Sequence, residues 1–387
     1  MFSHRPLSPL RARLQAKCSK RLRRLYVGVF VLAVLSILLL TSEFDSAQAL
    51  LPFHGHTSAY PFETTSTFHP VSFNNAWDKT AEELCASFPT YLTQRIQPIL
   101  KLGHGENRTL LEAQLKTVSS CFRDDDLLVV SDMDETIRGR QAIDVLANLP
   151  QAYRDGNTDF EPYDALQSIL NSQESDEAID RDTDPTTGKG WKLDKYKFLP
   201  EVELAWSMRP GRDWYVFYET DTYILWDNLF RFLSTLDPSA PFYIGSPSPG
   251  RSGTWFANGG PGFVLSRGAM TRLLSRSDSE AKADGLLNQR PPLTLRGVDL
   301  IKGDCCGDSV LGWMLWKAGI RISGFFPLFN TYAAHKIPFT ERAWCQPLIT
   351  LHKSTAEDMM DLWRWEFQAR QLGVSGSGRA SCGASVN

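Results

Sequence analysis

The segment WYVFYETDTYILWDNLFRFL, residues 214–233, constrains the fold of this 387-residue chain more than any other stretch. It opens with a run of strand length, WYVFYE, and this run leads directly into the acidic sequence Glu219-Thr220-Asp221. The stretch ILWDNLFRFLSTL follows almost at once, with the apolar spacing of an amphipathic helix. A strand that passes directly into a helix is typical of α/β domains, in which ligands bind beyond the carboxyl ends of the strands.

Other segments repeat this alternation of short apolar runs and amphipathic stretches. RIQPILK and LLVVSD have the composition of strands, and residues 107–118 between them have the pattern of a helix. Polar loops interrupt the alternation at residues 171–190 and from residue 275. The pattern predicts one α/β domain, residues 79–370, with a mostly parallel central sheet and flanking helices.

The N-terminal end has the pattern of a membrane anchor. Residues 1–24 carry eight Lys or Arg and no acid, and the uncharged run LYVGVFVLAVLSILLL follows. We predict a cytosolic tail at 1–24, a transmembrane signal anchor at 25–41, a stem at 42–78 and a disordered tail at 371–387. This is a single-pass type II topology, with the domain in the Golgi or ER lumen. A cleaved signal peptide ending near Ala47-Gln48-Ala49 is the alternative, and it sends the domain to the same compartment.

Charge and cysteine content agree with a lumenal domain. Without the eight N-terminal cations the formal net charge of −3 becomes −11, so we expect no nucleic-acid partner. Six of the seven cysteines follow the predicted anchor, an even number that permits disulfides. Cys85 with Cys121 is the preferred pair, and Cys345 with Cys305 or Cys306 is the next. Asn107-Arg108-Thr109 is a glycosylation sequon.

The acidic residues after WYVFYE have the spacing of a metal site. Two carboxylates one residue apart, Glu219 and Asp221, can both face one Mn²⁺ or Mg²⁺, which in turn can neutralise a diphosphate. An acidic turn that caps a helix is the alternative interpretation. Downstream, the glycines of FANGGPGFVLSR, including Gly259 and Gly260, allow a backbone to pass close to a ligand.

A second set of acids suggests a different enzyme. LLVVSDMDETI, with Asp132 and Asp134, resembles the start of a haloacid-dehalogenase-type phosphatase, and Lys302-Gly303-Asp304 with Asp308 resembles its closing acidic motif. However, the closing motif follows the Pro- and Arg-containing stretch LNQRPPLTLRGVDLIKG instead of a clean buried strand. The phosphatase hypothesis also leaves ETDTY and the glycine segment without a role.

The order of strand, ETDTY, helix, PFYIG and FANGGPGFVLS resembles the fringe-like glycosyltransferases, family 31, and among them the fungal lumenal members related to core 1 galactosyltransferase. The resemblance runs over residues 85–367 and includes GWKLDKYKFLP, CCGDSVLGWMLWKAGI and WCQPLITLHKSTAEDMMDLWRWE. It implies a GT-A fold, a UDP-sugar donor used usually with Mn²⁺, inversion at the anomeric carbon, and a glycan or glycoprotein acceptor.

The resemblance also implies residue roles. Glu219, Asp221 and His352 would hold the metal, although the family often has Asp where this chain has Glu219. The set expected to contact the donor is Ser131, Asp132, Thr220, Gly259 and Gly260. Asp308, in the family's D-x-x-x-G motif, would be the general base on the acceptor hydroxyl. A helix N-cap for Asp308, a structural His352, and a lumenal sugar-binding protein without catalysis are the alternatives.

Overall fold

An eight-stranded mixed sheet forms the centre of the protein. The structure is a computed structural model and describes residues 65–69, 75–171, 191–274, 292–337 and 347–371. The strands are β1 (Ile96–Lys101), β2 (Leu128–Ser131), β3 (Glu135–Ile137), β4 (Arg140–Asp144), β5 (Trp214–Glu219), β6 (Tyr223–Ile224), β7 (Tyr243–Gly245), β8 (Pro247–Pro249), β9 (Trp255–Ala257), β10 (Phe263–Ser266), β11 (Ile322–Gly324), β12 (Phe329–Asn330) and β13 (Thr350–Leu351).

The central sheet has the strand order β11-β7-β10-β5-β1-β2-β4-β3. β5, β1, β2 and β4 are parallel to one another, and β7 is parallel to β11. β10 is antiparallel to both of its neighbours, and β3 is antiparallel to β4. The prediction of an α/β protein with a mostly parallel central sheet is confirmed, and the architecture is consistent with a GT-A-like fold.

The helices flank this sheet. They are α1 (Ala81–Leu84), α2 (Arg108–Lys116), α3 (Glu161–Asn171), α4 (Trp191–Asp194), α5 (Phe198–Met208), α6 (Trp226–Leu233), α7 (Arg267–Leu274), α8 (Leu293–Gly303), α9 (Gly307–Lys317) and α10 (Ala356–Gln371). Apolar side chains of β5 and β10, such as Phe217 and Leu265, form one buried cluster with residues of α5 and α9, such as Val202 and Leu311. Each large apolar side chain in such a core contributes about 1.5–3 kcal/mol through burial.

Local predictions agree with these elements where the signal is strongest. RIQPILK, LLVVSD and WYVFYE contain β1, β2 and β5, and α2 lies within the predicted helix at residues 107–118. The helix predicted from ILWDNLFRFLSTL is shorter, because Tyr223 and Ile224 form β6 and α6 begins only at Trp226. β6 pairs with β13, a long-range contact that a local pattern cannot reveal.

The glycine segment explains the antiparallel strand. Gly262 precedes β10 with φ of 77°, and a Cβ at this position would lie 2.8 Å from the carbonyl oxygen of Phe217. Glycine tolerates both the positive φ and the close approach. The chain that arrives from β9 can therefore turn close to the end of β5 and continue as β10, antiparallel to β5.

One predicted disulfide is present and another is not. Cys85 and Cys121 form a disulfide, as expected. Cys305 pairs with its neighbour Cys306, so the expectation that Cys345 pairs with one of these two was wrong. The cysteine sequence alone does not fix the connectivity, and Cys345 itself lies outside the described residues.

The predicted membrane anchor also lies outside the described residues. Among the helices that the structure does describe, none is both long and apolar enough to span a bilayer. Part of the predicted stem contacts the folded domain: Phe68 is buried against Phe88, and the Thr67 backbone N–H donates to Asp227. The predicted cytosolic tail and residues 372–387 are not described.

Candidate active site at the carboxyl edge of the sheet

Three predicted metal ligands meet beyond the end of β5. Glu219 is its last residue, Asp221 follows in the turn to β6, and His352 directly follows β13. The pairing of β6 with β13 brings the imidazole beside this turn, with Nε2 of His352 3.3 Å from Oδ2 of Asp221. Ligand atoms of Glu219, Asp221 and His352 all lie within 4.8 Å of one another, and all three residues are half-buried.

The chemistry of this cluster fits a divalent cation. Oδ1 of Asp221 is buried and has no hydrogen-bond partner among the described residues. An unpaired buried carboxylate oxygen carries a desolvation cost that a cation would offset. Two carboxylates and one imidazole form a donor set suited to a transition metal such as Mn²⁺. The residues therefore fit the metal that the sequence resemblance implied.

A glycine loop joins these ligands to Asp308. The N–H of Gly259 donates to Oδ2 of Asp308 at 2.8 Å, and a Cβ on Gly259 would lie 3.4 Å from Oε1 of Glu219. The carbonyl of Gly260 accepts from the hydroxyl of Thr222 at 2.7 Å. The loop thus packs between the predicted base and the predicted metal ligands, so both belong to one site.

Gly260→Ala should weaken metal binding. A Cβ at position 260 would lie 2.1–2.6 Å from three atoms of the His352 ring, so the imidazole must move away from Asp221. We expect Mn²⁺ affinity, measured by calorimetry, to fall about tenfold or more, as when the groups that orient a ligand are lost. The matched control is Gly303→Ala, since a Cβ there meets no atom within 4 Å and should leave the Mn²⁺ affinity unchanged. Gly253 is not used because its positive φ would strain an alanine. Equal affinity for Gly260→Ala and wild type would mean that His352 is not a ligand.

Asp308 lies in the first turn of α9. The N-cap of this helix is Cys306, so the interpretation of Asp308 as the N-cap is wrong. Its Oδ1 accepts from the N–H of Ser309 and its Oδ2 from that of Gly259, each at 2.8 Å. Burial raises the pKa of the Asp308 carboxyl, and the two backbone donors offset this rise only in part. A carboxylate with a raised pKa is a stronger base than an exposed Asp.

Asp132 follows β2 on the other side of β1. Its Oδ2 lies 3.1 Å from Nζ of Lys197, and its Oδ1 accepts from the backbone N–H of His104 at 2.6 Å. Although burial opposes it, the ion pair with Lys197 lowers the pKa of Asp132, so this residue is ionised at neutral pH. Ser131 is fully buried, and its hydroxyl is 3.4 Å from Oδ1 of Asp132.

The phosphatase interpretation is not favoured by these contacts. Both oxygens of Asp132, the supposed nucleophile, are held by donors of the protein itself. Oδ1 of Asp134, the supposed acid/base, accepts from the backbone N–H of Asp144. Lys302 lies in the last turn of α8, and its exposed ammonium donates to the carbonyls of Ala152 and Asp155. The acidic motif of the phosphatase hypothesis therefore follows a helix instead of a strand.

Thr220 is buried and contacts Glu106, a residue that the sequence did not single out. Its hydroxyl donates to Oε2 of Glu106, in the loop after β1, at 2.7 Å. Burial raises the pKa of Glu106, and the Thr220 hydroxyl partly opposes this shift. The loop after β1 therefore contacts the turn formed by Glu219, Thr220 and Asp221, here called the ETD turn.

Sequence reasoning also missed a buried charge cluster below Glu219. Lys101, the last residue of β1, lies 2.9 Å from Glu219 and 2.7 Å from Asp194, and Glu201 is buried nearby. Burial raises the pKa of Glu201 to about 8. Lys197, in the segment GWKLDKYKFLP, is also buried, with only 2% of its surface exposed. The sequence did contain a sign of this cluster, because Lys101 ends the otherwise apolar strand sequence QPILK.

A comparison with known protein families adds an independent finding. A family model described as Fringe-like matches residues 171–288. The match includes the ETD turn and the glycine loop, whereas Asp132, Asp308 and His352 lie outside it. It confirms the fringe-like resemblance found in the sequence. Residues 171–288 of this chain are therefore similar to the Fringe-like family.

Proposed function

We propose that the protein is a metal-dependent, inverting glycosyltransferase that moves a hexose or N-acetylhexosamine from a UDP-sugar to a hydroxyl of a glycan or glycoprotein. The observation that carries the proposal is the convergence of Glu219, Asp221 and His352, joined to Asp308 through the N–H of Gly259. The Fringe-like match supports the glycosyltransferase class.

The metal side of the site would receive the donor diphosphate. Glu219, Asp221 and His352 would hold Mn²⁺ or Mg²⁺. When bound, such a cation supplies charge neutralisation for the departing nucleotide. Gly259 and Gly260 are buried against Phe198 and His352, so the missing side chains let the loop pack directly against the metal ligands on the donor side.

Asp308 would act on the acceptor side. Its carboxylate accepts the proton of the acceptor hydroxyl as that oxygen attacks the anomeric carbon, and the carbon–oxygen bond to the diphosphate breaks. One base and one attack from the face opposite the leaving group give inversion. Backbone donors from Gly259 and Ser309 hold the carboxylate in one orientation, which suits a group that must accept a proton at a fixed position.

Asp132, Ser131 and Thr220 would bind the nucleoside end of the donor. The ion pair with Lys197 keeps Asp132 ionised, so both of its oxygens act as hydrogen-bond acceptors. Thr220 follows Glu219 directly, and its hydroxyl donates to Glu106 in the loop after β1. These contacts support one continuous donor site along the carboxyl edge of the sheet.

The type II membrane topology and the Golgi or ER lumen belong to the same proposal. The basic tail followed by an apolar run supports the topology. The Cys85–Cys121 disulfide suits an oxidising compartment. A UDP-sugar donor and a glycan acceptor suit that compartment as well.

A donor panel tests the proposed function. The full chain, in detergent, is incubated with individual UDP-sugars and acceptor glycans, with Mn²⁺ or with a chelator, while UDP release and product are measured. We expect one donor to dominate, the product to have the inverted anomeric configuration by NMR, and the chelator to stop transfer. Hydrolysis of p-nitrophenyl phosphate without UDP release would support the phosphatase. Sugar binding without any UDP release would support a lumenal sugar-binding protein.

A further inference from the structure

Lys101 is a buried cation at the base of the candidate metal site. β1 and β5 are parallel, and their register pairs Lys101 with Glu219, so both side chains leave the sheet at the same edge. Nζ of Lys101 lies 2.9 Å from Oε1 of Glu219, 2.7 Å from Oδ2 of Asp194 and 3.7 Å from the centre of the Phe198 ring. The lysine side chain is only 4% exposed.

A buried ammonium at this position carries a large cost unless its partners are fixed. Lys101 has two carboxylate partners and an aromatic face, which together replace its hydration. Glu219 in turn is the carboxylate that the ammonium contacts on the metal side, whereas Asp194 comes from α4. The ion pairs therefore connect the ETD turn to the helical segment on the face of the sheet.

The same helical segment reaches the nucleoside side through a second buried lysine. Lys197 precedes α5 and donates to the carbonyl of Leu102 at 2.9 Å while it pairs with Asp132 at 3.1 Å. Lys101 and Lys197 thus bind the end of β1 to the segment of residues 194–197 from both sides. Of the two direct carboxylate partners of Lys101, Asp194 and Glu219, only Glu219 is a predicted metal ligand.

We propose that Lys101 is a positioning residue that holds the Glu219 carboxylate, through this buried ion pair, where it can serve as a metal ligand. The inference rests on the metal site of the proposed function. Without the ammonium, the half-buried Glu219 and the more exposed Asp194, with side-chain exposures of 26% and 40%, lose their shared counter-charge. The Glu219 carboxylate would then be free to turn toward water, away from its position beside Asp221 and His352, and would be a poorer ligand.

The test measures Mn²⁺ binding to the full chain at pH 7 without any sugar nucleotide, by the EPR signal of free Mn²⁺. Lys101→Met should bind Mn²⁺ about tenfold to 100-fold more weakly than wild type, as for other residues that orient a ligand. The matched control is Lys116→Met, which removes an exposed lysine paired with Glu112 and should leave the affinity unchanged. Unchanged or tighter Mn²⁺ binding by Lys101→Met would overturn the proposal.

A double-mutant cycle tests whether Lys101 acts through Glu219. In a Glu219→Gln background, Lys101→Met should cost less than about twofold in Mn²⁺ affinity, because its target carboxylate is already gone. If Lys101→Met lowers the Mn²⁺ affinity by the same factor in the Glu219→Gln background as in the wild type, the positioning role is overturned. Thermal unfolding shows whether Lys101→Met is folded. If it is not, the double variant Lys101→Met/Asp194→Asn removes both members of one ion pair, and its Mn²⁺ affinity should be weakened by the same factor. Normal affinity in that variant would also contradict the inference.

The outcomes separate this inference from the proposed function. Wild-type protein that binds no Mn²⁺ would refute the metal site, and the role of Lys101 with it. If the wild type binds Mn²⁺ and Lys101→Met binds it equally tightly, only the role of Lys101 is refuted.

Discussion

Asp221→Asn should lower sugar transfer about 1,000-fold, which corresponds to about 4 kcal/mol of transition-state stabilisation. Asp221 carries the buried oxygen that no described residue satisfies, and its other oxygen lies 3.3 Å from His352. The amide replaces an anionic ligand with a neutral one of the same shape, so the fold should persist. Initial rates of UDP release at saturating Mn²⁺ measure the effect.

Two further measurements make the Asp221 result specific. Mn²⁺ affinity should fall together with the rate, and the melting temperature should change by no more than a few degrees. Asp124→Asn, at an exposed aspartate 3.5 Å from Arg140, is the matched control and should retain full activity. Full transfer by Asp221→Asn would exclude this residue as a metal ligand.

Asp308→Asn should lower the turnover number by about 100-fold to 10,000-fold, the range over which a general base contributes. Metal binding should remain intact, because Asp308 is joined to the metal ligands only through the glycine loop. The asparagine can still accept a hydrogen bond from Gly259 or Ser309, so the start of α9 should hold. Mn²⁺ affinity and transfer rates, measured on the same preparation, separate this variant from Asp221→Asn.

The pH profile distinguishes a base from a structural role. A base must be deprotonated, and burial raises the pKa of Asp308. As the pH is lowered, wild-type activity should therefore begin to fall at a higher pH than it would if the base were an exposed aspartate. That acidic limb should disappear in Asp308→Asn, which has no carboxyl at this position. If the variant retains the acidic limb of the wild type, another group is the base.

The sequence alone determined the elements whose signals are local. The apolar runs that form β1, β2 and β5 stand out because a strand buried on both faces needs a continuous apolar sequence. Glu219 and Asp221 were identifiable because an acid directly after such a strand must lie at the edge where ligands bind. Gly262 was recognisable as a special backbone position because its neighbours FANGGPG are rich in glycine.

Only the tertiary structure decided which distant residues share the site. The pairing of β6 with β13 brings His352 to Asp221, and the register of β1 and β5 sets Lys101 beside Glu219. Neither pairing leaves a local pattern, because strand register is fixed by contacts between segments far apart in the chain. Burial likewise separated Lys197 from the exposed lysines, since a lysine enters the interior only where a carboxylate such as Asp132 is already held to receive it.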